Sequence, residues 1–130
     1  MQKVLVGGCF NKIHEGHIYF LKEARKLGDY LVVVLAHDAN NKKPYAIPAK
    51  QRKKNMEKTK LADKVVIGDK RDMLKVVRKE KPNIVALGYD QTLSRNMSRK
   101  LKEMKVKIVR IKRYSSYKTK KLMPISFTKH

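Results

Sequence analysis

Five short apolar runs, separated by stretches of helical spacing, constrain what this chain can fold into more than any other feature. Val4 to Val6, Tyr30 to Ala36, Val65-Val66-Ile67, Ile84 to Leu87 and Val106 to Ile111 read as strands. Tyr30 to Ala36 is continuously apolar, as expected of a strand covered on both faces. Ile18 to Leu27 carries apolar residues at Ile18, Phe20, Leu21, Ala24 and Leu27, close to helical spacing, and Gly28 is expected to cap that helix. Pro48 suits a first helical turn, and the helix it opens is expected to run to about Thr59. Helices are also expected over Met73 to Lys81, ended by Pro82, and over Thr92 to Met104, with residues 37–47 a polar loop. Strands alternating with helices imply a parallel sheet in a doubly wound α/β fold. Ligands of such sheets bind beyond the carboxyl ends of the strands, at the switch point. Gly7 to His17, His37 to Tyr45, Gly88 to Gln91 and Arg113 to Thr119 are the segments expected there.

With 130 residues, one domain is expected, spanning residues 1–123. Its basic closing segment, Tyr114 to Met123, has room for a short helix, and residues 124–130 read as a tail. Basic residues number 33 against 11 acidic, a net charge of +22, which draws anions without naming them. Nucleotides, free phosphates, RNA and anionic membranes all satisfy that attraction. Cys9 is the only cysteine, so there is no internal disulfide framework and a reducing compartment fits. No run approaches the ~20 apolar residues of a membrane span. Met1-Gln2-Lys3 enters a strand directly, so no leader is expected. A soluble, cytoplasmic protein with no membrane partner follows.

His14-Glu15-Gly16-His17 stands where the first strand gives way to its helix, just after Gly7-Gly8. Such a turn exposes backbone N–H groups and the positive end of a helix dipole, which suits a phosphate. Imidazoles three residues apart can face one pocket, and their charge responds near neutral pH. Gly7 and Gly8 allow close backbone approach. Lys42, Lys43, Arg52 and Lys118 are candidates to neutralise a polyphosphate. Asp90 is placed to accept a bond from a ribose or a base. Together these residues read as a nucleotide site. Plainer roles exist for several of them. Lys42 and Lys43 suit a solvated loop, Arg52 a helix face, Asp90 a turn, Tyr114 simple packing, and Ser115 and Ser116 a helix cap. Cys9, His14 and His17 match no standard zinc spacing, and no metal ligands are assigned.

The run Gly8-Cys9-Phe10-Asn11-Lys12-Ile13-His14-Glu15-Gly16-His17 resembles the signature of the cytidylyltransferase-type nucleotidyltransferases, Gly-Thr-Phe-Asp followed after two residues by His-x-Gly-His. Ile47-Pro48-Ala49-Lys50-Gln51-Arg52 and Ala86-Leu87-Gly88-Tyr89-Asp90-Gln91 are more similar to the archaeal FAD synthase branch, which adenylylates FMN. The similarity covers roughly residues 1 to 112. It implies a single Rossmann-like doubly wound domain with a five-stranded parallel sheet. The implied reaction is transfer of AMP from ATP to the phosphate of FMN, with release of pyrophosphate. Mg²⁺ carried on the leaving phosphates and a homodimer are implied as well. By the same resemblance His14 and His17 donate to the reacting phosphates. Cys9 and Phe10 supply backbone contacts, Glu15 and Gly16 share that nucleotide-binding stretch, and Asp90 holds the nucleoside.

A second signature of the superfamily, Arg followed by Gly-Ile-Ser-Thr-Thr, is similar to Arg110 with Tyr114-Ser115-Ser116-Tyr117. That likeness implies triphosphate contacts from Ser115 and Ser116, and phosphate or substrate contacts from Arg110 and Tyr114. The chain also departs from these patterns. Cys9 stands for Thr, Asn11 for Asp, Arg113 for the glycine and Tyr117 for the second Thr, and the Cys-Pro-Phe-His-Ser-Ser type of stretch is absent. One rival reading keeps the fold and changes the substrates, with CMP passing from CTP to glycerol 3-phosphate or a sugar phosphate. The other is an RNA-binding protein with a degenerate nucleotide site. Few aromatics interleave the lysines, which argues against nucleic acid.

Overall fold

The computed structural model describes residues 1–114. The chain runs β1 (Lys3–Gly8), α1 (Glu15–Arg25), β2 (Tyr30–Leu35), a 3-10 turn (Asp38–Asn40), α2 (Ala49–Thr59), β3 (Lys64–Ile67), α3 (Leu74–Glu80), β4 (Ile84–Leu87), α4 (Arg95–Glu103) and β5 (Lys107–Arg110). All strand pairs are parallel and the order is β3-β2-β1-β4-β5. This is the expected doubly wound, Rossmann-like sheet. Winding proceeds outward from β1 to β3. The chain then returns through α3 to β4, on the other side of β1. The direction of winding therefore reverses between β1 and β4, where Val4 sits beside Ile84. A crevice opens at that reversal.

Alternate residues of each strand point to opposite faces, and each face has its own core. Val4, Val6, Leu31, Val33 and Leu35 pack with Leu21 and Ala24 of α1 and Met56 of α2. Leu5, Val32, Val85 and Leu87 pack with Leu74 and Val77 of α3 and Leu101 of α4. At the amino end of the strands, the buried Glu80 carboxylate is held by Lys64 at 2.7 Å and Lys3 at 3.4 Å. Among the described residues no helix is long and apolar enough to cross a membrane.

Cap chemistry sets the helix limits more finely than apolar spacing does. α1 begins at Glu15 rather than Ile18, because His14 caps it. α4 begins at Arg95 rather than Thr92, because the Ser94 hydroxyl accepts from the Met97 N–H at 3.0 Å. The expectation for Gly28 needs correcting: α1 ends at Arg25, Lys26 is its right-handed cap, and Gly28 has no positive φ. Its lack of a side chain serves a close approach instead. A Cβ there would lie 2.4 Å from the Gln2 carbonyl oxygen and 2.8 Å from Val4 Cγ2. Backbone cannot yield as a flexible side chain can. Gly28→Ala is therefore expected to destabilise the fold by about 1–3 kcal/mol, read as a lower urea midpoint at unchanged slope. Ser115, Ser116, Lys118 and the greater part of the basic closing segment lie outside the described residues.

Candidate active site

The carboxyl ends of β1 and β4 open into a cleft of about 1470 Å³. A single small ligand takes roughly 300–1,000 Å³, so this cleft has room for a nucleotide and a second substrate. The four segments expected at the strand ends all reach it as far as they are described. They contribute Gly7 to Asn11 with His14 and His17, then Lys43 and Tyr45, then Gly88 to Gln91, then Arg113 and Tyr114.

His14 and His17 lie at its centre as a stacked pair, ring centroids 3.8 Å apart. They also form a reciprocal cap on α1. The Gly16 N–H donates to His14 Nδ1 at 3.1 Å, and the His14 N–H donates to His17 Nδ1 at 3.3 Å. A nitrogen that accepts carries no hydrogen, so each neutral ring keeps its hydrogen on Nε2. The helix start thus fixes two imidazoles as a pair of Nε2–H donors in the cleft. His17 is held below the usual histidine pKa by burial first and by the His14 ring second, against an upward pull from the Lys12 carbonyl. Phe10 packs edge-on to His17 with centroids 4.9 Å apart.

The glycine between the histidines has a steric reason. A Cβ on Gly16 would lie 3.0 Å from His14 Cε1 and 3.2 Å from its Nδ1. Gly16→Ala is expected to tilt the His14 ring and to lower kcat about ten- to a hundredfold. Alanine's better helix propensity, worth about 1 kcal/mol, offsets the weakened cap, so the melting temperature should barely move. Gly8 answers to the same rule, since its Cβ would meet the Phe10 ring at 2.9 Å.

Three braces hold the loops around the pair. The Asn11 and Asn41 amides bond reciprocally at 3.0 and 2.7 Å, and Asn11 Oδ1 also accepts the Ile47 N–H at 3.1 Å. An aspartate at position 11 could not donate to Asn41, so the Asn found here is the residue this pairing needs. Gln91 joins β4 to β1: its Oε1 accepts from the Gly88 N–H at 2.8 Å, and its Nε2 donates to the Gly7 carbonyl at 2.9 Å. Arg52 is the third brace. It is fully buried and donates to the carbonyls of Ile47 at 2.8 Å and Cys9 at 2.9 Å and to Asp38 Oδ1 at 3.0 Å. The Ala49 N–H first, and Arg52 second, keep Asp38 below the usual carboxylate range.

These contacts redistribute the candidate residues. Arg52 is corrected from a phosphate ligand to a buried clamp, because all three of its guanidinium nitrogens are committed. Arg110 is exposed, and only its Nη1 is engaged in the described contacts. Its Nη1 donates to the carbonyls of Gly88, Tyr89 and Gln91 at 2.7, 3.3 and 2.6 Å, bracing that loop outside the cleft wall. Lys43 lines the cleft, whereas Lys42 is not among its lining residues. Cys9, Phe10, Glu15, Gly16, Asp90 and Tyr114 all line it, and the Tyr114 hydroxyl lies 3.3 Å from Glu15 Oε2. Lys12, Tyr19, Asn41 and Tyr45 carry no signal in the sequence that marks them for the site. Gln91 was visible only as part of a motif. Among the described residues no group of three His, Cys, Asp or Glu side chains could hold a metal ion.

The fold and sequence have relatives among known proteins. A model of the cytidylyltransferase-like family matches residues 5–129. The FAD synthase of Ferroglobus placidus is 44% identical over 117 residues, covering 86% of this chain and 77% of that one. The FAD synthase of Thermoplasma acidophilum is 39% identical over 137 residues, 96% of each chain. A crystal structure described as the lipopolysaccharide core biosynthesis protein of Thermoplasma volcanium superposes with a TM-score of 0.82 at 40% identity, covering 88% of this chain and 99% of that one.

Proposed function

The chain belongs to the cytidylyltransferase-like family, and from that premise we propose that it is an FMN adenylyltransferase. A phosphate oxygen of FMN attacks the α-phosphorus of ATP, the bond from that phosphorus to the bridging oxygen breaks, and pyrophosphate leaves with the electron pair. FAD is the product. The nucleophile is already ionised near neutral pH, so the protein needs no general base. Its task is to align two anions and to stabilise the charge that builds on the phosphates.

The observation that carries this reading is the capped histidine pair. Two Nε2–H donors are held in the cleft before substrate arrives, so little reorganisation accompanies the reaction. Asp90 suits the ribose hydroxyls of the nucleotide. Lys12, Lys43, Lys112 and Arg113, all on the cleft wall, suit the anions. Among the described residues the acidic side chains form no ligand set of their own, and a divalent ion would be carried on the triphosphate. Mg²⁺ bound to phosphate oxygens would supply charge neutralisation there. A homodimer, as the resemblance implies, can be checked by sedimentation.

The substrates follow from likeness to the FAD synthases at 44% and 39% identity. Pyrophosphate release over a matrix of ATP and CTP against FMN, glycerol 3-phosphate and sugar phosphates tests them. ATP with FMN is expected to be the productive pair. Turnover restricted to CTP with glycerol 3-phosphate or a sugar phosphate would overturn it in favour of cytidylyl transfer.

A further inference from the structure

We propose that Tyr45 is the platform on which the acceptor's flavin ring stacks, with Lys43 beside it for the acceptor's phosphate. This rests on FMN being the acceptor.

The cleft has two unlike wings about the histidine pair. On the β4 side stand Tyr89 and the carboxylate of Asp90, with the Arg113 guanidinium 5.4 Å from the Tyr89 ring centroid. A carboxylate accepts from ribose hydroxyls and repels a phosphate-bearing acceptor, so that wing suits the nucleoside. On the β2 side stand Lys43, Tyr45 and Ile47, and no carboxylate among the described lining residues comes from that loop. Tyr45 is 63% exposed, and among the described residues its ring pairs with no other ring or cation.

An exposed tyrosine alone is ordinary. This one is held on a pinned turn. The Ala46 N–H closes it on the Lys43 carbonyl at 3.0 Å, and Asn11 Oδ1 holds the next N–H, that of Ile47, at 3.1 Å. The half preceding the turn is tied to the same Asn11 through buried Asn41. The backbone that carries Tyr45 is therefore anchored to the strand-to-helix turn that carries the histidines. An exposed aromatic on an anchored backbone, a cation two residues before it and no carboxylate among that loop's described lining residues match a flat, electron-poor ring joined to a phosphate by a short chain. Stacking on a tyrosine whose backbone is already anchored gives affinity at reduced ordering cost.

Steady-state kinetics of Tyr45→Ala and Tyr45→Phe, with flavin fluorescence titration of FMN binding, test this. Tyr45→Ala is expected to raise KM for FMN, and its dissociation constant, about tenfold, to leave KM for ATP within about twofold, and to weaken the quenching of flavin emission. Tyr45→Phe keeps the ring and should match the parent protein. Its exposure means that neither variant should alter the melting temperature. An unchanged KM for FMN, or an equal rise for ATP, would overturn the platform while FMN turnover by the parent protein kept the acceptor assignment intact. Absence of FMN turnover in the parent protein would instead remove the acceptor assignment, and this inference with it.

Discussion

Replacing His17 by alanine is expected to lower kcat by about 10²–10³, the effect seen when one donor of a preorganised anion site is lost. His14→Ala should do the same and should in addition cost about 1 kcal/mol of stability, because it removes the α1 cap. His14→Asn separates the two roles. Asparagine caps a helix as well as any residue, so the variant should regain the stability and not the turnover. If His14→Asn restored activity, the ring would matter only as a cap. The pH response follows from the same contacts. Protonating His17 puts a hydrogen on its Nδ1, opposite the His14 N–H that this nitrogen accepts. Burial depresses the His17 pKa, so its neutral form persists below the usual histidine range. Its contribution to stability is intact above the unfolded-state value, about 6.5, and is lost as pH falls through the lower folded-state value. Activity should hold through pH 6.5 and decline below it. A profile already falling between pH 8 and 7 on the acid side would contradict a neutral His17.

The alternation of apolar runs with helical spacing was enough to place five strands and four helices, because strands buried on both faces leave continuous apolar runs such as Tyr30 to Leu35. Ile84–Leu87 coincides with its strand, being buried at every position. The histidine turn was legible because several requirements coincide there: a strand end, small residues and a helix start. Other features leave no periodic trace. The β3-β2-β1-β4-β5 order depends on where the crossover after β3 returns. Cap and clamp roles depend on partners far along the chain, as in Gln91 to Gly7 or Asn11 to Asn41. Arg52 is the sharpest case. An arginine within Ala49-Lys50-Gln51-Arg52-Lys53-Lys54 resembles its solvated neighbours, and only the loops folded over it bury it. Arg110 is itself exposed at the end of the edge strand β5, so its hold on the Gly88 to Gln91 carbonyls is likewise tertiary.

Arg52→Met should destabilise the protein by about 2–4 kcal/mol and lower kcat together. Methionine fills much of the space but leaves the Cys9 and Ile47 carbonyls without their donor, at about 1–3 kcal/mol for each unsatisfied group. The lost ion pair adds little, since the Asp38 side chain is 59% exposed and still accepts from the Ala49 N–H at 2.8 Å. The effect on turnover comes through Phe10, the residue after Cys9. Its φ of 50° is the left-handed region, which a non-glycine residue holds only when its surroundings impose it. Two constraints do so: the Phe10 ring is buried against His17, and Arg52 grips the preceding carbonyl. Releasing one lets the turn relax, and the His17 ring loses its edge-on support. Arg52→Lys should recover little, because an ammonium group lacks the planar fork that serves three acceptors in different directions. Urea unfolding beside steady-state kinetics distinguishes this clamp from a direct phosphate contact. A phosphate ligand would raise KM for ATP at unchanged stability. A clamp makes stability and kcat fall together, and it is the outcome required by a guanidinium with no exposed surface.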